Sequence, residues 1–319
     1  MNFLPPLSAV LLACTTLSAA PVYANTDDFS IAIIAAPMLS PNGDAAFHEA
    51  INATDDDNLA FVVVNGIKSA QEPCSDAVYL ERKLLLDAAK NGVIVSLAGT
   101  DWVNCRDSNG RSNTIDRLTR LRELFFADDL SFGASKIPLM RQSNAEKFRR
   151  YAENSRWEVG PILFATINLP AENNHYLAAG GRNNEFEDRQ IANRNWLQRL
   201  GSIAHSHKNE ALVIFCDADP FKPNDKKNQR DGFADIRIAL ANLATTFPGR
   251  ILLVHRSTAP IVGTPSGISW NGNLGSLAVA NGLIKLHVAT DTAALFSLVS
   301  ATEASSSHAV HNKKTAVPK

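Results

Sequence analysis

The chain has 319 residues, 45% of them apolar, with 31 Lys and Arg against 32 Asp and Glu. This is the composition of a globular protein long enough for one large α/β domain with a sizeable core. The formal net charge of −1 excludes the strong basic or acidic balance that points to nucleic acid or a membrane surface as partner.

In chain order, the first feature is the apolar run FLPPLSAVLLACTTLSAA followed by PVYA. It reads as an export signal over residues 1–24, cleaved after Ala24, and implies a periplasmic or secreted protein. A second reading makes Cys14, in LLAC, a lipid-anchored first residue. No later segment reaches the ~20 apolar residues of a membrane-spanning helix. Cys74, Cys105 and Cys216 remain beyond the signal. An oxidising compartment permits one disulfide, expected between Cys74 and Cys105 because both lie in polar loops after strands, whereas Cys216 ends an apolar run. The alternative is three unpaired thiols, and the spacing matches no zinc pattern.

FSIAIIAA (29–36) reads as a first buried strand, followed by a short helix near 44–53 and a strand LAFVVVNG. SDAVYLERKLLLDAAKNG predicts a helix with a Ser/Asp cap and a stop at Gly92. VIVSLAG is the third strand, and TIDRLTRLRELFFA a helix with leucines three and four apart. This alternation implies right-handed crossovers and a parallel sheet. GPILFATINL (160–169) is the next strand, 170–187 a polar surface loop, 188–208 a helix and ALVIFCDADPF a strand. A helix over 232–247 and the strand RILLVH follow. Beyond Gly263, glycine-punctuated segments such as GISWN, SLAVA and LIKLHV predict antiparallel strands. Residues 304–319 are polar and read as a disordered tail.

Ligands of an open α/β sheet bind outside the carboxyl ends of its strands. The loops there include NGIKSA, AGTDWVNC, NLPAENNHY, CDADPF and HRSTAP. The succession NGIKS, PCSD, AGTDWVNCRD, RLRELFF, WEVGPILFATINLP, NRNWL, DADPF and ILLVH resembles an exported branch of the calcineurin-like metallophosphoesterases, from about Phe29 to the last strand. The resemblance implies an α/β four-layer sandwich over residues 25–303, with two mixed β-sheets flanked by helices. It also implies a site where two divalent metals, bridged by an Asp, lower the pKa of the water that attacks phosphorus.

The ligand positions carry over one at a time. An Asp-bearing loop would follow the first strand, where this chain has Ala35-Ala36-Pro37. The bridging Asp would follow the second strand, where it has Asn65-Gly66. A Gly-Asp-Asn-Glu-Trp sequence would end the third, where it has Ala98-Gly99-Thr100-Asp101-Trp102, so Thr100 replaces the amide and Asp101 keeps its acidic type. Near the last strand His255 and Thr258 persist, but Ala259 stands where an imidazole belongs. Asp217 and Asp219 remain in CDADPF, although the turn before Pro220 gives such carboxylates backbone donors to satisfy. Each departure removes a ligand without replacement, and no metal cofactor is expected.

The other candidates have plainer readings. His255 without partners reads as a hydrogen-bonded rim residue, His205 and His207 as a solvated helix end, and His175 as a surface loop residue. Lys147, Arg149, Arg150 and Arg156 read as a solvated face around Tyr151, and Trp102 and Trp157 as core or loop anchors. No GxSxG elbow is present. The expected function is that of an exported metallophosphoesterase-like protein that has lost hydrolysis, with a binding or scaffold role and no enzymatic activity. Two alternatives stay open. One is an active hydrolase using Mn, Fe or Zn on Asp101, Asp217, Asp219 and His255; the other is a periplasmic small-molecule binding protein.

Overall fold

The computed structural model describes residues 28–35, 43–178, 181, 183–222, 230–257, 267–280, 282–290, 292 and 294–299. The signal over 1–24 with Cys14, the tail over 304–319, and Ala36, Thr258 and Ala259 lie outside these residues.

The apolar runs form two mixed sheets. The first contains β1 (Phe29–Ala35), β2 (Val62–Asn65), β3 (Val93–Ser96), β11 (Gly282–Val288) and β12 (Phe296–Leu298), in the order β12-β11-β1-β2-β3. The second contains β4 (Met140–Arg141), β5 (Ser155–Val159), β6 (Ile162–Thr166), β7 (Ala211–Cys216), β8 (Arg250–Arg256), β9 (Ser269–Asn271) and β10 (Leu274–Val279), in the order β4-β5-β6-β7-β8-β10-β9. Strands β1, β2 and β3 are parallel, as are β6, β7, β8 and β10.

Strand alternation divides the apolar residues among three cores. Ile31, Ile33, Phe61 and Val63 meet Phe164, Val213, Phe215 and Val254 between the sheets. Ile34, Val62 and Val64 face the other way, onto α1 (Gly43–Thr54), α2 (Asp76–Ala88) and α4 (Thr114–Phe125). Leu212, Ile214, Ile251 and Leu253 face α6 (Asn184–Ser206) and α7 (Ala234–Thr246). Strands covered on both faces read as continuous apolar runs rather than alternating ones. Aromatic rings fill the space between the sheets: Trp157 stacks on Phe164 at 5.8 Å, and Phe61 meets Phe164 edge-on at 4.8 Å.

Several expectations need correction. β10 runs parallel to β8 and antiparallel only to β9, while LIKLHV leaves that group and becomes β11, antiparallel to β1 in the other sheet. Pairing partners are set by long-range burial, which local glycine punctuation does not encode. Short β4, β5 and β12 were not expected. Helix α6 starts at Asn184, four residues early, because the polar stretch before Asp188 is its first turn, with Glu185 and Glu187 near the positive end of the helix dipole. Helix α2 ends at Ala88 rather than Gly92, although Ser75 caps it as expected, accepting from Val78 N at 3.3 Å.

Cys74 and Cys105 form a disulfide with Cα atoms 5.6 Å apart, and Cys216 is a buried free thiol. Among the described residues no helix is long and apolar enough to cross a membrane. The disulfide closes a sequence separation of 31 residues; its removal in Cys74→Ser/Cys105→Ser is expected to lower unfolding free energy by about 3 kcal/mol, read as a reduced urea midpoint with a steeper slope, because the unbridged unfolded chain exposes more surface.

Candidate functional site

The carboxyl ends of β2 and β3 face those of β7 and β8 across one rim of the sandwich, where apolar packing gives way to polar cross-links. Asn65 ends β2, and alternation turns its side chain between the sheets with Phe61 and Val63. Its Nδ2 donates to the carbonyl of Cys216 in the second sheet at 2.5 Å, while Oδ1 is buried without a donor. Gly66 follows with φ +89°, its N–H bonded to Ser96 O at 2.9 Å. A Cβ there would lie 2.9 Å from Ala98 Cβ, so both the left-handed backbone and the close approach require glycine.

Asp101 lies in α3 (Gly99–Trp102), a single turn after β3. It is fully buried, and its carboxylate accepts three backbone N–H groups: Ala98 on Oδ2 at 2.8 Å, and Ile67 and Lys68 on Oδ1 at 2.9 and 3.2 Å. Burial pushes its pKa up to about 6, against the amide bonds and the charges of Lys68 and Arg256 that favour the ionised form. Asp101 therefore clamps the loop after β2 to the turn after β3. Lys68 is also buried, and its Nζ donates to the carbonyls of Ser69 and Glu72 at 2.8 and 3.1 Å. Desolvation lowers its pKa although Asp101 and Glu72 oppose the shift. From α2, Arg82 completes the loop by donating to Ile67 O at 3.1 Å and to Glu72 Oε1 at 2.5 Å.

Asp217 follows β7 and is completely buried. Its Oδ2 accepts from Gly99 N in the opposite sheet's loop at 2.7 Å and from Ala171 N at 2.8 Å. Its Oδ1 lies 2.7 Å from Arg256 Nε but receives no aligned N–H, so this contact is a close ion pair rather than a directed hydrogen bond. The same guanidinium reaches back across the rim, Nη1 donating to Thr100 Oγ1 at 3.3 Å. Gly99 leaves room for this arrangement, since a Cβ there would meet Asp217 Oδ2 at 3.2 Å and Pro170 Cβ at 3.3 Å.

His255 does not join these residues. Alternation along β8 places it on the helix-covered face with Ile251 and Leu253, where Nε2 lies 2.9 Å from Ser276 Oγ. Burial lowers its pKa, partly opposed by Asp219. Asp219 accepts from Phe221 N at 2.9 Å, closing the turn at Pro220. The four residual candidates thus turn to separate partners, and among the described residues no three carboxylates, imidazoles or thiols gather closely enough to hold a metal ion. This donor set does not fit a two-metal centre.

Sequence reasoning missed Arg256, which shares the inter-sheet face with Leu252 and Val254 by strand alternation. That periodicity was the available signal. It also missed the four consecutive left-handed residues Glu172, Asn173, Asn174 and His175, with φ between 54° and 60°. Three of them fall in α5 (Ala171–Asn174). Buried Arg189 holds this turn through the side chain and carbonyl of Asn174, and lies 5.6 Å over the Trp102 ring. His175 is half-buried and meets Trp102 edge-on at 5.1 Å, so it packs more deeply than a surface loop residue. Lys147, Arg149 and Arg150 are exposed, while Arg156 is mostly covered and lies 3.6 Å from Glu158. Tyr151 stacks under Arg122 at 5.4 Å.

No known protein-family model matches the chain, and no curated protein is significantly similar to it in sequence.

Removing Arg256 leaves the Asp217 carboxylate buried beside a lost countercharge. Arg256→Ala is therefore expected to cost about 3 kcal/mol of stability by urea denaturation. A carboxyl whose pKa rises on folding contributes stability below its unfolded pKa, and that contribution is lost as pH rises through the folded value. For Asp101 the window runs from 3.8 to about 6, and carboxyl-carbon NMR is expected to give a midpoint near 6. A midpoint at or below 3.8 would show that the three amide bonds outweigh burial.

Proposed function

We propose that this is an exported, metallophosphoesterase-like protein that has lost metal-dependent phosphoester hydrolysis and acts by binding through the former cleft. The observation that carries the reading is the fate of the carboxylates. Asp101 accepts three backbone amides, and Asp217 accepts two on Oδ2 while its Oδ1 is paired with the Arg256 guanidinium. A guanidinium beside Asp217 supplies fixed positive charge where a metallophosphoesterase would hold a cation, and it raises the cost of bringing a metal there. Small or amide residues, Asn65, Gly66, Gly99 and Thr100, stand at the remaining ligand positions. The order of strands and helices, with parallel strands delivering these loops to one rim, supports the same family-level reading.

The test is elemental analysis of the purified protein after incubation with manganese, iron and zinc and removal of loose metal, beside a phosphodiester hydrolysis assay. The expected result is no stoichiometric metal and no turnover. Retention of about one or two metal equivalents, the content of a mononuclear or binuclear site, together with hydrolysis would overturn the proposal and make the protein a working phosphoesterase.

A further inference from the structure

We infer that the cavity in front of Arg256 is a carboxylate-binding site, with Arg256, Thr100 and Lys68 as the groups that hold the anion. This rests on the reading of the cleft as a binding site and adds the chemistry of what it takes. The cavity measures about 350 Å³, within the lower range for small-molecule sites. Lys68, Thr100 and Arg256 line it, together with the apolar Pro73 and Val103 and the Cys74–Cys105 disulfide.

The case is one of unused donors on buried cations. The Arg256 side chain is only 10% exposed. Its Nε faces Asp217 and one Nη1 proton goes to Thr100, while Nη2 has no partner among the described residues. Thr100 Oγ1 accepts from Arg256 and keeps its own proton to donate. Lys68, 2% exposed, gives two protons to carbonyls and retains a third. Arg256, Thr100 and Lys68 thus each hold a donor hydrogen that no acceptor among the described residues takes.

The balance of charge selects the anion. Lys68, Arg82, Arg106 and Arg256 are matched by Glu72, Asp101, Glu172 and Asp217, all in or directly behind the wall. Without excess positive field the site has nothing to neutralise the double charge that phosphate concentrates on one compact group. Recognition rests instead on aligned donors, and a planar guanidinium with a hydroxyl beside it matches the two oxygens of a carboxylate. Two sources carry this group: a small organic acid, or the free carboxyl end of a peptide.

Isothermal titration of the full chain with acetate, succinate, inorganic phosphate, and a short apolar peptide as free acid and as amide separates them. Saturable binding is expected for carboxylates, with the amidated peptide silent; the tighter of succinate and free-acid peptide identifies the source. Arg256→Lys keeps the charge but loses the fork and is expected to weaken binding about tenfold. Thr100→Val leaves the Asp217 pair in place and is expected to weaken it about fivefold, which keeps the test decisive if the Arg256 variant does not fold. Absence of saturable carboxylate binding by folded protein would overturn the inference, as would binding indifferent to both substitutions or phosphate binding more tightly than every carboxylate. None of these outcomes touches the loss of hydrolysis, which metal content and turnover decide separately.

Discussion

Asp217 is the constraint on which the rim of this protein depends. A carboxylate removed from water must be met by donors or counter-charge, since an isolated ion would shift its pKa or unfold the site. Here two donors and a counter-charge come from three places distant in sequence: Gly99 after β3, Ala171 after β6 and Arg256 at the end of β8. Satisfying one side chain therefore fixes three loops from both sheets. Between the sheets, Phe61, Trp157, Phe164 and Phe215 hold the sandwich by burial, but burial is indifferent to small displacements. The directed bonds to Asp217, with Asn65 reaching Cys216, set how the two rims meet.

A second layer of buried charge lies behind the first. Asp101 joins the loops after β2 and β3, and Lys68, Glu72 and Arg82 form a chain from that loop into α2. Such charges contribute little net stability, because their attraction offsets a desolvation cost of several kcal/mol per ion. What they supply is geometry. The disulfide ties the same two loops covalently, so the cavity wall is built on a rigid frame. Rigidity of this kind favours a binding site, because little side-chain freedom is left to lose when a ligand arrives.

The left-handed turn at Glu172–His175 shows the cost of that frame. Non-glycine residues in this region are strained by roughly 1–3 kcal/mol each, less for Asn, whose short polar side chain tolerates it. The turn persists because neighbours hold it: Arg189 on Asn174, and Gly232 N on Asn173 Oδ1 at 2.7 Å. It delivers Ala171 N to Asp217 and seats His175 against Trp102.

The parallel strands, the capped start of α2, the turn at Asn65-Gly66 and the pairing of Cys74 with Cys105 were all legible in the chain itself. Each rests on local chemistry: apolar runs, a capping serine, a glycine with positive φ, or cysteines in successive loops. Asp101 and Asp217 were legible as candidates, but their partners were not, because backbone amides carry no sequence signature. Only the tertiary structure decided that β10 lies parallel to β8, that β11 joins the other sheet, and that His255 faces away from the rim while Arg256 faces into it. The physical reason is range. Propensity and periodicity act over a few residues, whereas the saturation of a buried charge requires donors from loops 46 to 118 residues away, brought together only when both sheets have formed.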